Sequence, residues 1–126
     1  VNNFITALQQ KLHIYDNKTY LVGFSQGAML AIYTGLKRKP KLAGVFSIAG
    51  LIAAEASLEL KINSLPNIYL LHGQDDTKVQ FKTLLYTENW LKKHQIPVEK
   101  FTYPHLKHQI CEDEVAQISN IINGTA

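Results

Sequence analysis

The sequence is almost without cysteine, since Cys111 is the single thiol among 126 residues. One thiol excludes an intrachain disulfide and favours a reducing compartment, so the chain is predicted to be cytoplasmic. Its runs of consecutive apolar residues are too short to span a bilayer, which argues against an integral membrane segment. A disulfide-stapled scaffold and a membrane-spanning protein are therefore both poor descriptions of this sequence.

Charge of either sign is also sparse. Charged residues make up 18% of the sequence, and the formal net charge is +3. The lysines are scattered, with no basic stripe that carries interleaved aromatic residues, so nucleic acid is not predicted as a partner. Cysteine, histidine and carboxylate residues do not follow the spacing of a zinc site, and no metal or other cofactor is predicted. The length and the 46% hydrophobic content predict a single domain with its own core.

What the sequence does contain is a serine between two glycines, in Gly23-Phe24-Ser25-Gln26-Gly27. The apolar run Thr19–Phe24 precedes this motif, and the helix-forming segment Ala28–Arg38 follows it. A strand, a sharp turn that carries serine and then a helix make up a nucleophile elbow. Taken alone, the motif is equally compatible with a glycine-rich turn that holds an incidental serine.

Strand-like and helix-like segments alternate along the rest of the chain. The predicted strands are Thr19–Phe24, Leu42–Ile48, Asn67–Leu71 and Pro97–Tyr103. A first helix is predicted to be capped by Asn2 or Asn3, with Phe4, Ile5, Leu8 and Leu12 on one face. The other predicted helices are Ala28–Arg38, Phe81–His94 and Glu112–Ile122, the last with Val115, Ile118 and Ile122 facing inward. The segment Leu51–Leu65 is predicted to be partly helical. This alternation predicts an α/β fold, with a parallel sheet of about four strands and flanking helices.

Polar side chains follow the predicted strands at their carboxyl ends, where an open parallel sheet gathers its chemistry. Ser25 follows the first strand, Asp75 and Asp76 follow the third, and His105 and His108 follow the fourth. Serine needs a base in order to act as a nucleophile, histidine is that base near neutral pH, and a carboxylate orients the histidine. The order Ser, Asp, His is that of an α/β-hydrolase triad, with two candidates for the acid and two for the base.

At these residues the sequence resembles the phospholipase/carboxylesterase family of α/β hydrolases, which includes acyl-protein thioesterases. The segments that carry the resemblance are Gly23–Ala28, His72–Val79 and Tyr103–His108, and it extends over nearly the whole chain. The resemblance implies a Ser25 nucleophile, an Asp76 acid and a His108 base, with the backbone N–H of Gln26 as an oxyanion donor. It further implies a small acyl ester or thioester as substrate and no cofactor.

The sequence departs from the family pattern in two places. His105 and Lys107 stand where the family usually has small, glycine-like residues, so His105 is kept as a second candidate base. The family also has several strands before the elbow strand and an early loop, rich in histidine and glycine, that supplies a second oxyanion donor. We therefore expect a truncated α/β-hydrolase fold, the C-terminal half, with doubtful activity. The alternative is a non-catalytic remnant, or half of a split hydrolase, that folds by self-association or with the missing half.

The remaining expectations concern single residues and assembly. His72 is expected to form a hydrogen bond near its strand end, Trp90 to lie in the core, and Asp76, if not catalytic, to cap the following helix. Cys111 is expected to pack in the core rather than to serve as a reactive thiol. Without the family's preceding strands, Thr19–Phe24 becomes an apolar sheet edge, which predicts a homodimer through that strand.

Overall fold

The computed structural model of the chain describes residues 1–52 and 61–124. Its elements alternate as the sequence predicts, and their bounds differ from the predicted ones by a few residues at each end. In chain order they are helix α1 (Asn2–Leu12), a short 3₁₀ turn (Asp16–Lys18), strand β1 (Tyr20–Phe24), helix α2 (Gln26–Lys37), strand β2 (Gly44–Ile48), strand β3 (Ile68–Gly73), helix α3 (Lys82–Lys93), strand β4 (Val98–Tyr103) and helix α4 (Glu112–Asn123). The segment predicted as partly helical, Leu51–Leu65, falls mostly outside the described residues.

The four described strands form one parallel sheet in the order β1-β2-β3-β4, which confirms the predicted α/β class. Phe24 at the end of β1 pairs with Ile48 at the end of β2, and Gly73 at the end of β3 pairs with Tyr103 at the end of β4. The carboxyl ends of all four strands therefore lie at one edge of the sheet. Each candidate site residue follows one of these ends.

The core lies on both faces of the sheet. On one face, α2 and α3 pack against alternate residues of the central strands, and on the other face α4 packs. The first cluster includes Ile32, Leu36, Val45, Ile68, Leu70 and Leu91, and the second includes Phe46, Ile48, Leu71 and Ile118. Strands covered on both faces need apolar residues at successive positions, which explains why β2 and β3 read as continuous hydrophobic runs.

Helix α1 is attached through polar contacts more than through apolar ones. Of its residues only Ile5 is buried, whereas the guanidinium of Arg38 donates to Asp16 Oδ1 at 2.8 Å and to Gln9 Oε1 at 2.8 Å. The same guanidinium contacts the Oδ1 of Asn2 at 3.4 Å. The prediction that Asn2 or Asn3 caps α1 was wrong, because the helix already begins at Asn2 and that side chain points to Arg38.

The face that α4 turns to the sheet also differs from the predicted one. Ile118 is buried, but Val115 is 54% exposed and Ile122 is 43% exposed. Glu114 is buried in place of Val115, because its Oε1 accepts a hydrogen bond from the backbone N–H of Cys111 at 3.0 Å and so caps the helix. Burial raises the pKa of Glu114.

None of the helices in residues 1–52 and 61–124 combines the length and the apolar character that a membrane crossing requires.

Candidate active site

Ser25 sits on a sharp turn between β1 and α2. Its backbone has φ 57° and ψ −116°, a combination that non-glycine residues rarely adopt and that projects the side chain out of the turn. The turn is held on both sides, since the Ser25 N–H donates to the carbonyl of Ile48 at 2.9 Å and the Ser25 carbonyl accepts from Ala28 N at 3.1 Å. A β-carbon on Gly23 would overlap the carbonyl of Gly27, so this turn requires glycine at position 23.

Asp76 follows β3 and uses its two carboxylate oxygens for different purposes. Oδ1 accepts hydrogen bonds from the backbone N–H groups of Lys78 and Val79, both at 2.9 Å, and Oδ2 lies 2.7 Å from His108 Nδ1. Burial raises the pKa of Asp76, but the hydrogen bonds from His108, Val79 and Lys78 outweigh it, and the net pKa lies below the usual aspartate value. The alternative role, a cap on the following helix, was wrong: the N-cap of α3 is Phe81, and the contacts of Asp76 with Lys78 and Val79 lie in the turn before that helix.

His108 lies between this carboxylate and the serine. Because an ionised carboxylate only accepts hydrogen bonds, Nδ1 of His108 carries a proton and donates a hydrogen bond to Asp76 Oδ2. Nε2 is then the acceptor, and it lies 3.1 Å from Ser25 Oγ. The imidazole also packs against the ring of Phe24, with ring centroids 4.9 Å apart. The structure therefore brings together Ser25, His108 and Asp76 in the order that general-base activation requires.

The two alternative candidates lie outside this arrangement. The side chains of His105 and Asp75 are 95% and 54% exposed, and they approach each other at 3.9 Å. His105 nonetheless has a structural role, since its φ of 65° is the left-handed conformation that glycine normally supplies. A non-glycine residue thus adopts the backbone turn expected of the small residue that the family pattern has there.

Leu106 helps to place the loop that carries His108. Its side chain is buried, and its carbonyl accepts a hydrogen bond from the backbone N–H of Asp75 at 3.0 Å. A β-carbon on Gly73 would overlap this carbonyl, so the close approach depends on that glycine. Sequence reasoning missed Leu106, although an apolar residue in a polar loop is a signal that could have found it.

Gln26 is the first residue of α2, directly after Ser25. The first backbone N–H groups of a helix have no acceptor within that helix, and they lie at the positive end of its dipole. The Gln26 N–H therefore has no acceptor within α2, and it directly follows the serine in the chain.

The other residues singled out in the sequence have structural places. His72 is buried and forms a hydrogen bond with Val79, as expected, and Trp90 is 9% exposed in the core, as expected. Cys111 does not pack in the core: it is only half-buried and is the N-cap residue of α4. The helix cap, rather than apolar packing, determines its position.

The chain is similar to a known protein family and to several known proteins. A family model described as phospholipase/carboxylesterase matches residues 1–126. Acyl-protein thioesterase 1 of Neurospora crassa is 30% identical over 105 residues, which cover 79% of this chain and 43% of that protein. Acyl-protein thioesterase 1 of Aspergillus fumigatus is 29% identical over 129 residues, covering 94% of this chain and 53% of that protein.

The solved structures include a close match. The crystal structure of esterase PE8 superposes with a TM-score of 0.91 at 30% identity, covering 98% of this chain and 58% of that one. The chain spans about half the length of the curated relatives it matches. Because the family model is matched over the whole length of the chain, the protein belongs to the phospholipase/carboxylesterase family.

Proposed function

We propose that this chain carries the catalytic residues of a serine hydrolase that cleaves carboxylic ester or thioester bonds of small acyl substrates. The observation that carries the proposal is the continuous chain of contacts from Ser25 Oγ through His108 to Asp76, with distances of 3.1 Å and 2.7 Å. Family membership supports the same chemistry, since the similar proteins are named thioesterases and an esterase. No cofactor or metal takes part in the proposed reaction.

Each residue has a defined part in the proposed reaction. Ser25 Oγ attacks the acyl carbonyl and forms a new C–O bond, while its proton passes to His108 Nε2. The carbonyl oxygen becomes an oxyanion and accepts a hydrogen bond from the Gln26 N–H. Asp76, whose lowered pKa keeps it ionised, stabilises the imidazolium formed at His108.

The intermediate then collapses. The bond to the leaving group breaks, and the departing alcohol or thiol takes the proton from His108 Nε2. Water attacks the acyl-serine in the same way, giving its proton to Nε2, and release of the acid returns that proton to Ser25 Oγ. The reaction consumes one water and leaves the protein unchanged.

We expect only weak turnover from these 126 residues alone. The family resemblance places a second oxyanion donor in a loop upstream of the elbow strand, which this sequence does not hold. Loss of one such donor typically costs about 10² to 10³ in kcat. A single-turnover reaction is therefore a better test than steady-state hydrolysis.

We propose the reducing cytoplasm as the location of the protein, because its sequence has a single thiol.

A fluorophosphonate probe tests the nucleophile directly. Attack by Ser25 Oγ forms an O–P bond as fluoride leaves, and the mass of the intact protein rises by one adduct. We expect one adduct on the wild type, none on Ser25→Ala, and one on Ser119→Ala, whose serine is exposed on α4. A folded wild type that takes no adduct, or a Ser25→Ala variant that still takes one, would contradict the proposal.

We also propose that the chain forms a homodimer through β1. In the described part of the sheet β1 pairs only with β2, so its other edge presents unpaired backbone groups. Val22, at the centre of this strand, is 54% exposed, and Leu30 on the neighbouring α2 is 50% exposed. Helix α1 borders a groove with Tyr20 and Leu21, but it leaves Val22 uncovered.

An antiparallel pairing of two β1 strands about a twofold axis near Val22 would continue the sheet into the second copy. The non-catalytic alternative, a remnant that folds by association, is favoured by this same edge. Size-exclusion chromatography with light scattering distinguishes the states: we expect a dimer at micromolar concentration. A stable, well-folded monomer would contradict the pairing.

A further inference from the structure

Asp76 is held in place by contacts that begin at a buried histidine. His72 lies near the end of β3, four residues before Asp76, and is 1% exposed. The ring of Phe81 meets its imidazole edge-on, with centroids 6.0 Å apart. The side chain is therefore enclosed by protein, and its Nε2 has two polar neighbours.

The first of these neighbours is a backbone carbonyl. His72 Nε2 lies 2.7 Å from the carbonyl oxygen of Val79. Since a carbonyl only accepts hydrogen bonds, Nε2 must carry a proton and act as the donor. The N–H of the same Val79 donates to Asp76 Oδ1 at 2.9 Å. Val79 is therefore fixed at its carbonyl by His72, and it fixes the carboxylate through its amide.

The second neighbour is the carboxylate itself. His72 Nε2 lies 3.6 Å from Asp76 Oδ2, the oxygen that accepts the hydrogen bond from His108. This separation is too long for a hydrogen bond, but it places the positive end of the N–H dipole next to the carboxylate. His72 thus reaches Asp76 Oδ1 through Val79, beside the separate hydrogen bond from Lys78 N–H, and lies next to Oδ2 itself.

We propose that His72, with its proton on Nε2, is a positioning residue that fixes the 76–79 turn and so directs Asp76 Oδ2 at His108. This inference rests on the proposed hydrolase function, in which Asp76 orients His108. A histidine that only filled the core would affect stability alone. A positioning residue also controls the hydrogen bond between Asp76 and His108, which lies beyond its own contacts.

The tautomer of His72 in the wild type provides a first test that needs no variant. Nuclear magnetic resonance of protein labelled with ¹⁵N-histidine distinguishes protonation at Nε2 from protonation at Nδ1. We expect the proton of His72 on Nε2. If Nε2 is unprotonated, it cannot donate to Val79, and the proposal is wrong whether or not any variant folds.

The second test compares His72→Gln with His72→Asn. The amide nitrogen of glutamine reaches about as far as Nε2 and can donate to the Val79 carbonyl, whereas that of asparagine is too short. The readout is the Nδ1 proton of His108, which a carboxylate partner shifts strongly downfield. We expect this signal in the wild type and in His72→Gln, and its loss in a folded His72→Asn variant.

The fluorophosphonate reaction adds a chemical readout. We expect His72→Gln to react within a few-fold of the wild-type rate and His72→Asn to react on the order of tenfold slower or more, as misplaced catalytic groups do. A folded His72→Asn variant with the downfield signal and the wild-type rate would overturn the inference. If the wild type itself takes no probe, the proposed function fails, but the resonance signals still decide the role of His72.

Discussion

The centre of the sheet and its β1 edge are covered to very different extents. All five residues of β2 are buried, and five of the six in β3 are buried as well. In β1 not one of the five residues is fully buried, and Val22 is the most exposed of them. The acid follows the buried strand β3, whereas the proposed nucleophile and base follow β1 and β4, neither of which has a fully buried residue.

The difference shows that burial of a strand is not what fixes the serine. Ser25 is held by the turn itself, through the pairing of its N–H with Ile48 and the close contact between Gly23 and Gly27. The turn can therefore be formed although β1 has a neighbouring strand on one side only within the described sheet. The following predictions compare these two regions, beginning with the largest expected effect.

The largest effect is expected at Gly23, where the turn that carries Ser25 leaves no space for a side chain. Gly23→Ala places a methyl group into the backbone of Gly27 and Ala28, which cannot move without disrupting the start of α2. We expect a loss of about 4 kcal/mol or more in the free energy of unfolding, or no folded protein. Urea unfolding, followed by circular dichroism, measures this free energy.

Gly27→Ala is the control for that change. A β-carbon on Gly27 meets nothing within 4 Å, and residue 27 lies inside α2. Because alanine favours the helix more than glycine does, we expect Gly27→Ala to raise the free energy of unfolding by about 0.5 to 1 kcal/mol. Equal stability of the two alanine variants would show that the elbow is not sterically constrained.

The second prediction compares one leucine from each region. Leu91 on α3 is fully buried in the cluster at the sheet centre, whereas Leu30 beside β1 is 50% exposed. We expect Leu91→Ala to lower the free energy of unfolding by about 2 to 5 kcal/mol and Leu30→Ala to lower it by less than about 1 kcal/mol, as measured by urea unfolding. A large cost at Leu30 would mean that the second copy proposed to pair with β1 also covers this face of α2, and equal costs at the two leucines would contradict the comparison.

The order of elements could be predicted from sequence because it depends on local signals. Runs such as Leu42–Ile48 must be apolar throughout when both faces of a strand are covered, and Pro40 marks a boundary between helix and strand. The site residues could be predicted for a similar reason, since parallel strands place their carboxyl ends together. Choosing Asp76 and His108 over Asp75 and His105 required the family resemblance, since neighbouring residues in one loop share the same local signals.

What was not predicted from the sequence depends on polar contacts, one within a single helical turn and one between residues far apart in the sequence. The inward face of α4 was predicted from apolar spacing, but Glu114 takes the inward position by capping the helix. Asn2 was expected to cap α1, but its side chain accepts a hydrogen bond from Arg38, 36 residues away in the sequence. At α4 a helix cap took precedence over the apolar spacing, and at α1 a long-range hydrogen bond took precedence over a local cap.

The third prediction tests whether the open edge associates. Val22→Lys on β1 and Val115→Lys on α4 change two valines that are both 54% exposed. We expect only Val22→Lys to convert a dimer to monomer in light scattering, since a charge at the centre of an edge strand opposes pairing with a second copy. Loss of the dimer in both variants, or in neither, would place the interface elsewhere.

The smallest effect is expected at the contact between edge and site, where the ring of Phe24 packs against His108. Phe24→Leu keeps an apolar side chain but removes the aromatic face beside the imidazole, which becomes positively charged during the proposed reaction. A contact of this kind is worth about 0.5 to 1.5 kcal/mol, so we expect fluorophosphonate labelling to slow by roughly two- to tenfold.

Tyr20→Leu is the matched control for Phe24→Leu. Tyr20 lies on the same strand and face as Phe24, and its ring packs against Phe46 at 5.8 Å. Both changes remove one aromatic contact from β1, so any effect on the fold or on association of this edge is common to them. Only Phe24 adjoins the proposed base, and we therefore expect Tyr20→Leu to be labelled at the wild-type rate. Equal slowing in the two variants would mean that the covering of β1, and not the ring beside His108, determines how fast Ser25 reacts.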